Sequence, residues 1–148
     1  MRDGKLTDSM EFSMFMDENK EWIYDYSLFM AVKDSLGGIP WTEWPQDIRN
    51  RQPDAVQQMQ IKLADEIHFQ QYMQYLFYTQ WNALKSYANK NHIRIIGDIP
   101  IYVAMDSADV WAHPELFRLD EDRRPYEVAG CPPDGFSETG QLWGKPNI

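Results

Sequence analysis

The sequence predicts an α/β fold, and two neighbouring stretches are the basis of that prediction. Between Asp54 and Ile96 there is no glycine and no proline, and large apolar side chains recur at the spacing of one helix face. That apolar face comprises Phe69, Tyr72, Met73, Leu76, Trp81, Leu84 and Tyr87. Directly afterwards, Ile93–Gly97 is a short β-branched run that is typical of a buried strand. A helix that leads into a buried strand is typical of α/β architecture.

An earlier helix is predicted over residues 17–36. Its apolar residues follow the helical spacing, and Asp17 is the expected N-cap. Gly37 and Gly38, followed by Pro40, are expected to end it because glycine favours helix C-termini and proline cannot continue a helix.

Caps and turn residues predict the remaining elements. The stretch without glycine or proline is one long helix or two abutting helices, which residues 89–91 are expected to end. Ser107 or Asp106 predicts the cap of a short helix, and residues 120–123 predict the turn of a small hairpin. Residues 129–148 are rich in glycine and proline with no usable period, so we expect a loop that is either functional or disordered.

The composition disfavours several kinds of partner. A net charge of -9 and a pI near 4.7 repel phosphate backbones and anionic lipids, so we expect neither nucleic acid nor a membrane as partner. Cys131 is the single thiol and can form no internal disulfide, and the N-terminus lacks a secretory apolar core, so we expect the cytoplasm. None of the three histidines has a second His or Cys at metal-binding spacing, so we expect no metal and no cofactor.

Asp98 is the first candidate site residue, because it directly follows the predicted strand. In parallel α/β barrels, residues just past the C-terminal end of a strand line the active site. A structural role explains Asp98 at this position equally well, because its carboxylate could accept hydrogen bonds from a neighbouring loop.

The last part of the chain contains a second group of candidates. Glu138 is a carboxylate, Gln141 is an amide, and Phe136 and Trp143 are aromatic rings. Sugars present hydroxyl groups to polar side chains and apolar C–H faces to rings, so this set suits an oligosaccharide. The Pro-Pro-Asp-Gly run before them also fits a plain turn.

Residues 97–144, GDIPIYVAMDSADVWAHPELFRLDEDRRPYEVAGCPPDGFSETGQLWG, closely resemble the amylomaltases, a family of 4-alpha-glucanotransferases, around their third barrel strand. The segments ENKEWIYDYSLFMAVKD, GGIPWTEWP and QYLFYTQW resemble the same family in the same order. The resemblance implies part of a (β/α)8 TIM-type barrel with an inserted helical subdomain. In that arrangement residues 12–92 are mainly helical insert and barrel helix, 93–104 a barrel strand, and 105–148 a short helix, hairpin and substrate loop. Since such a barrel takes about 250 residues, the resemblance implies a single internal fragment of it.

The family implies the transfer of alpha-1,4-glucan segments to glucose or another glucan by a retaining double displacement, which needs two carboxyl groups. Its nucleophile lies in an Arg-x-Asp-His motif and its acid/base glutamate on a later strand, and neither motif occurs here. The resemblance therefore assigns no catalytic residue to the chain and implies an inactive fragment. It does assign maltooligosaccharide binding, to Asp98, Phe136, Glu138, Gln141 and Trp143, although Gly135 stands where the family usually has an aromatic residue.

Two other interpretations remain open. The chain as a non-catalytic glucan-binding remnant is favoured by the intact run FSETGQLWG. A helical domain that acts through protein contacts alone would leave the ordered family matches unexplained. A barrel fragment also exposes strand edges and apolar helix faces, which makes self-association an expected hazard.

Overall fold

The computed structural model describes residues 9–148, which divide into two compact units. The first unit contains the chain up to Val32 and Gln58–Ile99, and the second contains Lys33–Gln57 and Pro100–Ile148. The described part is mainly helical and has one small sheet. Its α-helices are α1 (Met10–Glu18), α2 (Lys20–Ser35), α3 (Gln46–Arg49), α4 (Pro53–Lys62), α5 (Ala64–Lys90) and α6 (Ala108–Ala112). Its strands are β1 (Val128–Cys131) and β2 (Gln141–Pro146).

The helix predicted over residues 17–36 is confirmed as α2, but its predicted start is wrong, because α2 begins at Lys20 and a separate helix, α1, precedes it and ends with its C-cap Asn19. Ser9 caps α1 through its Oγ, which accepts the Phe12 N–H at 3.1 Å. Asn19 ends α1, because both its backbone N–H and its side-chain amide donate to the carbonyl of Phe15. Its Oδ1 also accepts the indole N–H of Trp22 at 3.1 Å, which fixes the start of α2. Asp17 therefore lies within the last turn of α1. The predicted end of α2 is confirmed, since Gly37 follows it with a positive φ of 74° and the Gly38 N–H donates back to the Lys33 carbonyl at 2.9 Å.

Aromatic rings form the core between α1 and α5 in the first unit. Phe12 and Phe15 pack against Tyr72, Tyr75 and Tyr78, with ring centroids 5.6 to 6.1 Å apart. The three tyrosines are spaced by three residues and therefore lie on one side of α5. This side of the helix is the one that α1 covers.

The stretch without glycine or proline forms two abutting helices, which confirms one of the two expected forms. α4 and α5 meet at Leu63, which is buried. α5 ends at Lys90, and Asn91 is its C-cap, as predicted from the run of Asn89, Lys90 and Asn91. The side-chain amide of Asn91 donates to the Tyr87 carbonyl at 2.8 Å. This bond satisfies one of the carbonyls that a helix end leaves without an intrahelical donor.

The barrel strand predicted over residues 93–104 does not form in this structure. The backbone there is assigned to no strand, and Ile93, Ile95 and Ile96 are exposed. A strand is defined by hydrogen bonds to a neighbouring strand. Among the described residues no segment pairs with this run, so its β-branched side chains have no sheet to join.

Three buried tryptophans form the core of the second unit. Trp41, Trp44 and Trp111 each donate an indole N–H to a backbone carbonyl, at 2.7, 3.2 and 3.1 Å respectively. Trp44 and Trp111 contact each other edge to face, with centroids 5.5 Å apart. The guanidinium of Arg51 lies 4.3 Å from the centroid of the Trp111 ring. Each indole is thus buried with its polar edge satisfied, which avoids the cost of an unpaired donor.

The start of α6 agrees with its predicted cap. The Oγ of Ser107 accepts the Val110 N–H at 3.3 Å. The neighbouring Asp106 forms an ion pair with Lys33 and accepts the backbone N–H of Trp41 at 3.2 Å. Asp106 therefore connects α6 to the tryptophan core instead of capping the helix.

A short antiparallel turn forms where the sequence predicts the small hairpin, and a longer hairpin follows later in the chain. Leu119 and Pro125 form an isolated antiparallel bridge there, and the backbone N–H groups of Asp120 and Tyr126 donate to the carbonyls of Arg124 and Arg118. The Asp120 carboxylate closes this turn by accepting the N–H groups of Asp122 and Arg124. Residues 129–148, expected to be a loop, contain nearly all of the antiparallel β1–β2 pair. Cys131 pairs with Gln141 at the inner end of this hairpin.

Among the described residues, no helix combines the length and the apolar character that crossing a bilayer requires.

Candidate functional site

The connection between β1 and β2 is a loop closed by local hydrogen bonds. Asp134 Oδ1 accepts the N–H groups of both Phe136 and Ser137 at 2.8 Å. The Asp134 N–H donates to the Ser137 carbonyl at 3.0 Å, and the Ser137 hydroxyl donates to the Gly140 carbonyl at 2.7 Å. The loop is therefore ordered by its own polar groups, although it has no helix or strand of its own.

Gly140 allows the loop to return to β2. Its φ is 74°, and a Cβ at this position would lie 2.5 Å from the carbonyl oxygen of Cys131. No side chain fits there, so the close return of the chain depends on glycine. The two ends of the loop are held together at this point.

Aromatic and polar side chains are exposed on this hairpin. Phe136 is 99% exposed near the tip of the loop, and Trp143 on β2 is 46% exposed. Glu138 lies in the turn with an exposed side chain, and Leu142 is exposed beside Trp143. Flat apolar rings beside a carboxylate and an amide can hold a ligand that has both hydroxyl groups and apolar faces.

Two neighbours orient the ring of Trp143. Its indole N–H donates to Gln141 Oε1 at 3.0 Å. On another side the ring of Tyr102 lies 5.7 Å away, tilted by 56°. The Gln141 amide nitrogen keeps two N–H groups that can donate hydrogen bonds to a hydroxyl oxygen of a ligand.

Sequence reasoning missed Tyr102 as a member of this group. The only signal was an aromatic residue in the apolar run after Asp98, and that run was assigned to a strand. Its partner Trp143 is far away in the chain, so the contact depends on the fold and not on local spacing.

The structure places four of the five predicted site residues on one hairpin. Phe136, Glu138, Gln141 and Trp143 belong to the second unit, whereas Asp98 belongs to the first. Asp98 is exposed, and its Oδ1 accepts the N–H of Ile99 at 2.8 Å. The substrate role expected for Asp98 stays a prediction.

The described residues contain no cluster of three or more metal-binding side chains. Cys131 is a free thiol at the end of β1, where it is partly buried.

We expect Asp134→Ala to loosen the tip of the loop without unfolding the protein. The substitution removes the acceptor of two backbone N–H groups, at a cost of about 1 kcal/mol. Hydrogen exchange of the Phe136 and Ser137 amides should therefore become roughly fivefold faster. Asp134→Asn keeps an acceptor at this position and serves as the control. Unchanged exchange in Asp134→Ala would show that the carboxylate does not order the loop.

We expect Tyr102→Ala to shift and broaden the indole N–H resonance of Trp143 in a nitrogen–proton spectrum. The Tyr102 ring limits how far the indole can turn, and Tyr102→Phe preserves that contact. The phenylalanine variant should therefore leave the resonance in place. Equal shifts in both variants would mean that the hydroxyl group, and not the ring, matters at this position.

Residues 2–148 match the model of a protein family described as 4-alpha-glucanotransferase. A 4-alpha-glucanotransferase of Thermus thermophilus is 53% identical over 135 residues, which are 91% of this chain and 27% of that protein. One of Clostridium butyricum is 47% identical over 140 residues, which are 94% of this chain and 29% of that protein. The chain thus spans less than a third of the length of these relatives.

A solved structure has a similar fold. It is described as amylomaltase from Streptococcus agalactiae in complex with acarbose, and it matches with a TM-score of 0.86 and 45% identity. The match covers 92% of this chain and 28% of that one. Nearly all of this fold therefore has a counterpart in a much longer chain.

Proposed function

Because the chain belongs to the 4-alpha-glucanotransferase family, we propose that it is the part of such an enzyme that holds an alpha-1,4-glucan while segments are transferred. The family model matches nearly the whole chain, and two relatives that carry this activity in their names are 53% and 47% identical. The chain spans less than a third of those relatives, so the complete reaction is proposed for the longer polypeptide.

The observation that supports binding most directly is the exposed aromatic pair on the hairpin. Phe136 and Trp143 offer apolar faces, and Gln141 offers amide donors beside Trp143. A glucose unit has hydroxyl groups around its edge and apolar C–H groups on its faces, so rings and polar groups together match it. The solved amylomaltase bound to acarbose supports a carbohydrate ligand.

We infer that the bond-breaking step is a retaining double displacement. This reaction needs a carboxylate nucleophile and a second carboxyl group that acts first as an acid and then as a base. The Arg-x-Asp-His motif that contains the nucleophile in this family is absent from the 148 residues. The role of this chain is therefore to bind and orient the glucan.

Asp98 belongs to the same proposal as a residue that contacts the glucan or supports the site. Its Oδ1 already accepts a backbone N–H, and its side chain is exposed. The second carboxylate oxygen can therefore accept a sugar hydroxyl group.

We expect the chain alone to release no glucose from maltotriose. Without the two catalytic carboxyl groups, neither the glycosyl-enzyme nor its transfer to an acceptor can occur. Enzymatic quantification of glucose after prolonged incubation measures this, and an active 4-alpha-glucanotransferase serves as the positive control. Steady glucose release by the purified chain would contradict the assignment of a purely binding role.

Titration calorimetry with maltoheptaose tests the proposed function. We expect saturable binding of this alpha-1,4-glucan and no binding of cellohexaose, which has the same hexose units joined by beta-1,4 bonds. Equal heats for both sugars, or no heat at millimolar maltoheptaose, would contradict the proposal.

A further inference from the structure

Trp143 lies on a strand that gives its ring no buried support. The first four residues of β2, from Gln141 to Gly144, are exposed, so neither face of the strand packs on a core there. Gly144, the next residue, has no side chain and a positive φ of 64°. Contacts with other side chains must therefore limit how far the indole turns.

Two directional contacts hold the Trp143 ring within the part of the chain that the structure describes. Its N–H donates to Gln141 Oε1 at 3.0 Å, and the centroid of the Tyr102 ring lies 5.7 Å from its own, with the planes tilted by 56°. Gln141 is two residues earlier on the same exposed strand, so both ends of the hydrogen bond move with that strand. The hydrogen bond fixes one edge of the indole, and the contact with Tyr102 fixes its plane.

Tyr102 belongs to a segment that is tied to the buried tryptophan core. Three residues after it, the Met105 carbonyl accepts the indole N–H of Trp41 at 2.7 Å. The Asp106 carboxylate accepts the backbone N–H of Trp41 at 3.2 Å and forms an ion pair with Lys33. Trp41 is only 1% exposed. The segment that carries Tyr102 is therefore anchored in a way that the exposed strand is not.

We propose that Tyr102 is a positioning residue for glucan binding, which holds the Trp143 ring in the orientation that an alpha-1,4-glucan meets. The inference rests on the proposed function, because it assigns Tyr102 a role in the same site. The residues that carry it all belong to the second unit, so the contact is internal to the 148-residue chain. Tyr102 acts through Trp143 and does not touch the sugar.

An indole whose plane is already fixed loses less freedom when a sugar packs on it. Ordering one mobile side chain at a binding site weakens binding about three- to tenfold. A supporting residue that holds the ring in advance avoids this loss. Removal of the Tyr102 ring should therefore weaken maltoheptaose binding although the rings of Phe136 and Trp143 are still present.

A double-mutant cycle, measured by calorimetric titration with maltoheptaose, tests the proposal. Tyr102→Ala should weaken binding about three- to tenfold in the otherwise unaltered chain. In a Trp143→Ala background the same substitution should change the affinity less than about twofold, because the ring that Tyr102 holds is gone. Tyr102 is 38% exposed, so the midpoint of urea unfolding should stay near that of the unaltered chain.

Tyr102→Phe is the matched control, because it keeps the ring and removes only the hydroxyl group. It should bind maltoheptaose within about twofold of the unaltered chain. Nitrogen relaxation of the Trp143 indole without sugar provides a second measurement. Its order parameter should fall in Tyr102→Ala and stay unchanged in Tyr102→Phe.

An equal loss of affinity in both backgrounds of the cycle would overturn the proposal and would make Tyr102 a residue that touches the glucan itself. Unchanged affinity in Tyr102→Ala, or an equal order parameter in all variants, would also overturn it and would leave the proposed function standing. Absence of binding by the unaltered chain would contradict the proposed function, and with it this role of Tyr102.

Discussion

Replacing Trp111 with alanine is expected to lower the free energy of unfolding by about 3 to 5 kcal/mol, the largest effect on stability that we predict. The indole is fully buried. Its ring centroid lies 5.5 Å from that of Trp44 and 4.3 Å from Cζ of the Arg51 guanidinium. Its N–H donates to the Ile48 carbonyl, so alanine leaves both a cavity and a buried acceptor without a donor. The midpoint of urea unfolding, with the slope unchanged, measures the loss.

Trp143→Ala is the matched control for this experiment. It removes the same side chain from a half-exposed position on β2 and should cost no more than about 1 kcal/mol. Equal losses for the two variants would contradict the view that the tryptophan core organises the second unit. Trp111→Phe should lie between them, because it fills most of the space but removes the indole N–H.

The double variant Phe136→Ala with Trp143→Ala is expected to weaken maltoheptaose binding at least about tenfold, which is the largest functional effect that we predict. Each ring offers an apolar face whose loss costs about 1 to 2 kcal/mol. Affinity changes tenfold for every 1.4 kcal/mol or so. Calorimetric titration measures the change, and the unfolding midpoint should stay near that of the unaltered chain because both rings are exposed.

A ring outside the hairpin provides the control for the double variant. Tyr126 is also exposed and belongs to the same unit, so Tyr126→Ala should leave the affinity unchanged. Trp143→Phe keeps a ring at the site and should bind with an affinity close to that of the unaltered chain. Unchanged affinity in the double variant would remove the hairpin from the binding site.

Local signals predicted the helices of this protein well. The absence of glycine and proline predicted either one long helix or two abutting helices, and the structure has two, α4 and α5; the run that ends with Asn91 predicted where α5 stops. Of the two predicted caps of α6, Ser107 and Asp106, the structure selects Ser107, whose oxygen needs only the amide three residues ahead. The break at Asn19 was missed, because two side-chain hydrogen bonds produce it and the apolar spacing continues through it.

The sheet could not be predicted from the same signals. The run Ile93–Gly97 has the side chains of a strand, but a strand also needs a partner, and local sequence does not supply one. β2 shows no alternation because its first four residues are exposed on both faces, so no buried face imposes a period of two. Gly140 before β2 and Gly144 within it give this hairpin the glycine-rich sequence of an unstructured loop.

The candidate site was predictable in part. The resemblance to a known family selected Phe136, Glu138, Gln141 and Trp143, and the structure places these four on one hairpin. Tyr102 was missed because its contact with Trp143 joins residues that are distant in the sequence.

The measurement that tests the account most directly is the indole N–H spectrum of the chain during a titration with maltoheptaose. The six tryptophans give separate signals, and loss of one signal in Trp143→Phe identifies the resonance of Trp143. We predict that this resonance moves saturably with maltoheptaose, stays in place with cellohexaose, and that the buried Trp41, Trp44 and Trp111 do not respond. A Trp143 resonance that ignores millimolar maltoheptaose, or responds equally to both sugars, would contradict the assignment of the hairpin as an alpha-1,4-glucan site.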